Sequence, residues 1–377
     1  MEKRVLFTAS TFSHFQNFHT PYLRAFQSRG YEVVAAAGGE PIPLSCADRL
    51  LPLPLEKSMA SVQNFAAARL LRRELERQPY TLICCHTALA AFFTRLAVLG
   101  MKDRPPLVNT VHGYLFDDAS PGYRRAVLTA AEKLTAPVTD LLLTMNRWDA
   151  QYAESHRLAK RIVSVPGMGV DFDAMPPAGA EQAAALRTSL GFGEDRFLVL
   201  YAAEFSSRKS QQVLLHALAA LPERFALLLP GSGDRLESCR QLCRSLGLER
   251  RVVFPGQVGN MPLWYAAADA VAASSRSEGL PFHVMEAMHF AVPVAASAVK
   301  GHTDLITDGE NGLLYPYGDS AACARQLLRL ASDRALRERL AAQARADVER
   351  FSLASAFGPV MAAYDSVLSG ENAPIRT

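Results

Sequence analysis

The strongest constraint on this chain is an alternation of short apolar runs with helix-length segments, which occurs twice along its 377 residues. In the first half the runs are VLFTA from Val5, YEVVAAA from Tyr31, LICCH from Leu82, LVNTVH from Leu107, DLLLTM from Asp140 and RIVSV from Arg161. The segments from Pro21 to Arg29, Val62 to Gln78, Ala88 to Gly100, Pro121 to Ala136 and Arg147 to Glu154 read as helices between them. The rhythm restarts with FLVLYAA from Phe197, ALLLP from Ala226, RVVF from Arg251, DAVAAS from Asp269 and VPVAAS from Val292. Runs that stay apolar throughout belong to strands covered on both faces, and strand–helix alternation builds parallel sheets.

The Gly/Pro/Ala-rich stretch PGMGVDFDAMPPAGA interrupts the two series. This predicts an α/β chain of two Rossmann-like, doubly wound parallel-sheet domains, an N-terminal one at 1–168 and a C-terminal one at 191–351, with 169–190 as linker. Ligands of such sheets bind beyond the carboxyl ends of the strands, so the expected site is a cleft between the two domains. A last helix, 352–370, carries an apolar period in Phe357, Val360, Met361, Tyr364 and Val367.

Charge narrows the partners. A net charge of +3 is too small for a nucleic-acid binder. The FAAARLLRRELERQ segment places Arg69, Arg72, Arg73 and Arg77 at roughly helical spacing, compatible with contact to an anionic membrane surface or with an ordinary solvated helix face. The six cysteines lack CxxC or Cys/His metal spacing and fit reduced thiols in a cytoplasmic protein. No apolar run reaches the length of about 18 residues needed to span a bilayer, and the start lacks a signal-peptide core. The chain is expected in the cytoplasm, able to lie on a membrane without crossing it.

The chemistry concentrates in SEGLPFHVMEAM, where Glu278 and Glu286 flank a Gly-x-Pro turn. With Pro281 in the first turn of a helix, Glu278 falls in the loop and Glu286 on the helix. Amides around Gly279, Leu280, Pro281, Phe282 and His283, with the positive end of the helix dipole, form an anion site between two hydroxyl-accepting carboxylates. A ligand with sugar, phosphate and ribose matches that order. The bland alternative is a capping glutamate followed by a solvated one.

The 43 residues from Ser274 to Pro316, SSRSEGLPFHVMEAMHFAVPVAASAVKGHTDLITDGENGLLYP, resemble the signature of retaining GT-B glycosyltransferases of family 4 (the group 1 glycosyltransferases). The VKGHTDLITDGENGLL and HGYLF segments look most like the branch acting in bacterial capsule and exopolysaccharide synthesis. The resemblance implies the GT-B fold, with its two domains facing across a cleft and the last helix crossing back to the first. It implies transfer of a sugar from a nucleotide diphosphate, UDP above all, to a glycan or a polyprenyl-diphosphate-linked acceptor at the inner face of the membrane. No cofactor and no metal are implied, because cations neutralise the diphosphate.

The resemblance also assigns roles. Glu278 goes to the donor sugar and reaction centre, Glu286 to the ribose, Phe282 and His283 to phosphate and sugar through their amides. Arg208 and Lys209, at the junction of a strand and a helix in YAAEFSSRKSQQVLLHAL, go to the diphosphate and leaving group. Many relatives have Gly-Arg where this chain has Ala203-Glu204, a departure that removes one cation. His112, which ends the LVNTVH strand, goes to the donor sugar; His14 and His19, in the loop and helix after the first strand, are acceptor-side candidates. Gly231 in the GSG turn is a phosphate candidate, and Pro255, Gly256 and Gln257 are candidates for the base. Relatives usually have Gly where Ala291 stands, just past the helix; if that residue needs a left-handed conformation, Ala costs roughly 1 kcal/mol there. Two other functions share this frame: a GT-B UDP-sugar epimerase, needing no acceptor, and a non-catalytic nucleotide- or glycan-binding protein.

Overall fold

A computed structural model describes residues 3–370 and divides the chain into two units. One takes in the chain up to Gly169 and again from Ala354; the other is Val170–Leu353.

The first unit is built on seven strands: β1 (Arg4–Thr11), β2 (Glu32–Gly38), β3 (Arg49–Leu53), β4 (Leu82–His86), β5 (Leu107–Val111), β6 (Leu141–Thr144) and β7 (Ile162–Ser164). They pair in parallel in the order β3-β2-β1-β4-β5-β6-β7. The strand order reverses direction between β1 and β4, so the helices after these strands cover opposite faces and leave a crevice at the carboxyl ends. The apolar runs are buried as their pattern requires, with Val5, Leu6, Phe7, Val33, Val34, Ile83 and Leu107 fully enclosed.

β3 has no counterpart among the sequence-predicted strands. It is an edge strand, RLLPL, largely half-exposed and carrying Pro52, so it lacks the apolar run of a central strand. The helix Leu353–Leu368 packs on this unit from Ala354 onward. Tyr364 meets Phe7 and Phe26, Phe357 stacks on Tyr22 at 5.3 Å, and Asp365 pairs with Arg29 at 2.7 Å.

The second unit contains β8 (Phe197–Leu200), β9 (Phe225–Leu228), β10 (Val252–Val253), β11 (Ala270–Ala273), β12 (Val294–Ser297) and β13 (Leu313–Tyr315). All pair in parallel, in the order β10-β9-β8-β11-β12-β13, with the switch between β8 and β11. The short β13 is a further strand that the apolar pattern missed.

The stretch 169–190 is not simply a linker. Its alanine-rich second half forms the helix Ala180–Ser189, as residues of high helix propensity do. Arg187 fastens that helix to the sheet through Asp269 at 3.1 Å and the carbonyls of Ala267 and Arg196. Pro281 also differs from expectation: its backbone is extended (ψ 117°), so it is the N-cap and the helix starts at Phe282. Ala291 adopts φ 53°, the strained left-handed conformation expected for a position where glycine is usual.

Candidate functional site

The switch point of the second sheet collects the charged candidates. The loop after β8 supplies Arg208 and Lys209, and the loop after β11 supplies Ser275 and Glu278. Lys209 Nζ donates to Glu278 Oε1 at 2.5 Å, Arg208 donates to Oε2 at 2.7 Å, and Ser275 Oγ donates to Oε1 at 2.5 Å. Both oxygens of the acid are therefore engaged. Glu278 is only 6% exposed, Lys209 is buried, and the Arg208 side chain is 49% exposed.

Burial opposes ionisation of Glu278, but Lys209 and then Arg208 outweigh it and hold the carboxyl well below the usual range. Burial also lowers the Lys209 ammonium, partly offset by Glu278. Two cations against one carboxylate leave a net positive charge, and Arg208 carries it toward solvent.

Backbone geometry fixes this arrangement. Ser210 is left-handed (φ 51°), and Ser274 Oγ donates to the carbonyls of Lys209 and Ser210, which ties the two loops together. Gly301 has φ 82°, and a Cβ there would lie 2.8 Å from both Glu278 Cβ and the Gly279 carbonyl oxygen. Only glycine allows the loop after β12 to press this closely on the acid.

Two imidazoles lie against the same charges. His302, absent from the sequence-predicted site, is fully buried and its pKa falls to about 4, first through burial, with Glu278 pulling the other way. Its Nδ1 donates to the Ser297 carbonyl at 2.8 Å, so in the neutral ring Nε2 is a bare acceptor. His283 was singled out for its amide; its side chain is also enclosed, 5.3 Å from the Tyr201 ring, with its pKa lowered by burial and then by Lys209. The only sequence signal for His302 was its place in VKGHTD, inside the signature.

Glu286 stands apart from Glu278. Tyr265 donates to its Oε2 at 2.8 Å and to the His283 carbonyl at 3.2 Å. Burial raises the Glu286 carboxyl above its ordinary value, and the Tyr265 hydrogen bond counteracts only part of this.

The glycines of the GSG turn serve packing. Gly231 (φ 144°) donates its amide to the Gly256 carbonyl at 2.8 Å, and an added Cβ would overlap the Ala203 carbonyl. That amide is thus occupied within the protein rather than open to a phosphate. Gln257 Nε2 donates to Ser232 Oγ at 3.0 Å, so Gly231, Gly256 and Gln257 form one loop cluster against residues 203–205.

In the first unit the histidines gather at the β1/β4 switch point. His14 lies within the helix Phe12–Phe18 and His19 caps its end, the reverse of the expected loop-then-helix placement. His112 directly follows β5, and His86, which sequence reasoning passed over, is the last residue of β4. The Nε2 atoms of His14 and His19 are 3.1 Å apart, and His112 Nε2 lies 3.3 Å from His86 Nδ1. Burial lowers all four imidazoles, His14 to about 4 and His112 to about 3, so the cluster is neutral near pH 7.

Comparison with known proteins gives concordant matches in both units. A family model described as glycosyl transferases group 1 matches residues 182–347, and one described as glycosyltransferase family 4 matches 22–174. A protein of Bacillus subtilis (strain 168) named as a glycosyltransferase, EpsD, is 32% identical over 357 residues, covering 93% of each chain. D-inositol 3-phosphate glycosyltransferase of Xylanimonas cellulosilytica is 37% identical over 213 residues, 54% of this chain and 51% of that one. Among solved structures, HepE of Anabaena in complex with UDP and glucose superposes with a TM-score of 0.79 at 21% identity, covering 97% of this chain and 100% of the other. Sucrose-phosphate synthase of Thermosynechococcus elongatus gives 0.82 at 21% identity, covering 98% and 100%. These structures share the GT-B-type α/β fold.

Proposed function

Because the chain belongs to the group 1 glycosyltransferases and is an enzyme that transfers a sugar from a nucleotide-diphosphate donor, we propose that its donor is a UDP-sugar and that transfer retains the anomeric configuration. The acceptor in this reading is a hydroxyl of a growing glycan or of a polyprenyl-diphosphate-linked sugar in bacterial surface polysaccharide synthesis. The observation that carries it is the Glu278–Lys209–Arg208 cluster at the β8/β11 switch point, where a buried acid holds two cations beside the start of the helix Phe282–His289. HepE, which shares the fold, is seen with UDP and with UDP-glucose, which supports a uridine donor.

In this mechanism the donor diphosphate faces Arg208 and the turn from Gly279 to Pro281 that leads into the first helical residues, Phe282 and His283. Glu286 accepts the ribose hydroxyls, and Gly256 and Gln257 border the base. Glu278 acts chiefly by fixing the two cations, since both its oxygens are already taken. As the bond from the anomeric carbon to the phosphate oxygen breaks, Arg208 and Lys209 stabilise the charge left on the phosphate. The acceptor hydroxyl attacks from the same face and passes its proton to the departing phosphate oxygen. His112, His14 and His19 are assigned to sugar hydroxyls, which neutral imidazoles can hydrogen-bond. No metal enters this reaction.

Contact with the inner leaflet is part of the proposal. Among the described residues no helix is long and apolar enough to cross a membrane. The helix Val62–Arg77 exposes Val62, Phe65 and Leu70 beside Arg69, Arg73 and Arg77, and the helix Gly122–Thr135 exposes Tyr123, Val127 and Leu134 beside Arg124 and Lys133. Apolar and basic groups together suit an anionic lipid surface. Arg72 does not belong to that face, because it donates to Glu76 and to the Leu99 carbonyl.

A thermal-shift panel of nucleotide sugars tests the donor. A ligand at 100 times its Kd adds about 2.7 kcal/mol and raises the melting temperature. Silence toward every uridine nucleotide overturns the donor assignment. Product NMR showing an inverted anomeric centre overturns retention.

A further inference from the structure

Four of the first unit's five histidines, His14, His19, His86 and His112, lie in one cluster. They come from three elements: the segment after β1, the end of β4 and the end of β5. One ring nitrogen from each of His14, His19 and His112 falls within 4.8 Å of the others. We propose that His14, His19 and His112 form a binding site for one divalent cation of the zinc class, with His86 orienting His112.

Zinc holds imidazole nitrogens at about 2.0–2.1 Å in tetrahedral geometry, which places any two of them roughly 3.3 Å apart. The His14 and His19 nitrogens already stand at 3.1 Å. His14 and His112 are partly exposed whereas His19 is enclosed, so the cation enters past the first two and the site can close by rotation of their rings. His86 Nδ1, 3.3 Å from His112 Nε2, is placed to steer that ring from behind, as partners of metal-bound histidines do.

The chemistry of the set favours the same class of ion. Three imidazoles without a carboxylate suit zinc, copper, nickel or cobalt and do not suit magnesium or calcium, which need oxygen ligands. In the metal-free cluster His19 Nδ1 and His86 Nε2 are buried without a hydrogen-bond partner. Unpartnered buried nitrogens mark this as a polar cluster whose hydrogen bonding the protein itself leaves incomplete. Three protein ligands leave a fourth position open to water or an anion.

The consequence is inhibition rather than catalysis, because the cation engages side chains assigned above to sugar hydroxyls. That consequence rests on the proposed function; the binding itself does not.

The test uses the full chain without an affinity tag, stripped with EDTA and titrated with Zn²⁺ against a chromogenic chelator. The expected result is one equivalent of Zn²⁺ per chain, tetrahedral ligand-field bands when Co²⁺ is substituted, and no competition from excess Mg²⁺. His86→Ala should weaken binding about 10–100-fold, and His14→Ala, at a partly exposed position, by at least about 100-fold. His216→Ala, on an exposed residue of the other unit, should leave binding unchanged. Circular dichroism of each variant separates loss of the site from loss of the fold. Absence of stoichiometric binding, or binding unaltered in a folded His14→Ala variant, overturns the site. Stoichiometric binding with transferase activity unaffected by Zn²⁺ overturns only the inhibitory consequence.

Discussion

Lys209 Nζ lies 2.5 Å from Glu278 Oε1 across 69 residues of sequence, and this buried ion pair joins the loops that follow β8 and β11. Removing one partner leaves the other charge enclosed and uncompensated, which costs about 3–5 kcal/mol. Glu278→Gln is therefore expected to lose stability on that scale in urea unfolding, while the Glu278→Gln/Lys209→Met double variant loses less than the sum of the single changes. A loss below about 1 kcal/mol would place the pair among solvent-screened surface bridges.

Glu286 carries the opposite shift. Its folded pKa is raised by burial, so its contribution to stability is present below the ordinary glutamate pKa and fades as pH rises through the folded value. Ribose hydroxyls that donate to the carboxylate favour its charged form, so UDP affinity should rise with pH through that same window and binding should release a proton. Calorimetry in buffers of different ionisation enthalpy measures the release. Glu286→Gln should abolish both the release and the pH dependence.

The histidine cluster predicts an acid-sensitive first unit. For His14 and His112 the folded pKa values, about 4 and about 3, lie below the unfolded value, so their contribution is complete above pH 6.5 and declines as pH falls toward those values. Each group contributes at most about 1.4 kcal/mol per pH unit across its window. The urea midpoint, measured with EDTA present, should fall between pH 7 and pH 5, and His112→Gln should flatten that slope.

Gly301→Ala tests the support of the acid. The substitution places a methyl group 2.8 Å from Glu278 Cβ and forces an L-residue to φ 82°, at a cost of roughly 1 kcal/mol for the backbone before any steric displacement. The expected outcome is a lower melting temperature together with a larger proportional loss of turnover than of UDP affinity. An equal loss in both, or none, would show that the loop after β12 does not hold Glu278 in place.

The candidate acids and cations were legible because the family signature is local: Glu278, Gly279, Pro281 and Glu286 sit within nine residues, and Arg208 and Lys209 mark a strand-to-helix junction. Their partnership was not. Reading Arg208 and Lys209 as free phosphate ligands treated each loop alone, whereas the sheet order sets β8 beside β11 and turns both cations onto Glu278. His302 and His86 escaped notice for a related reason. His86 ends β4 and His302 opens a short helix after β12; each is a lone histidine without a spacing signal, and its neighbours come from other segments.

What the sequence determined by itself was the succession of apolar strands and intervening helices, because burial on both faces of a parallel sheet demands uninterrupted apolar runs. It also set the identities of the acids and cations. The tertiary structure decided which of them meet. Strand order reverses at β1/β4 and at β8/β11, and each reversal brings together carboxyl-end loops distant along the chain. Those crossings, rather than any local pattern, place four imidazoles in contact in one unit and bury an acid between two cations in the other.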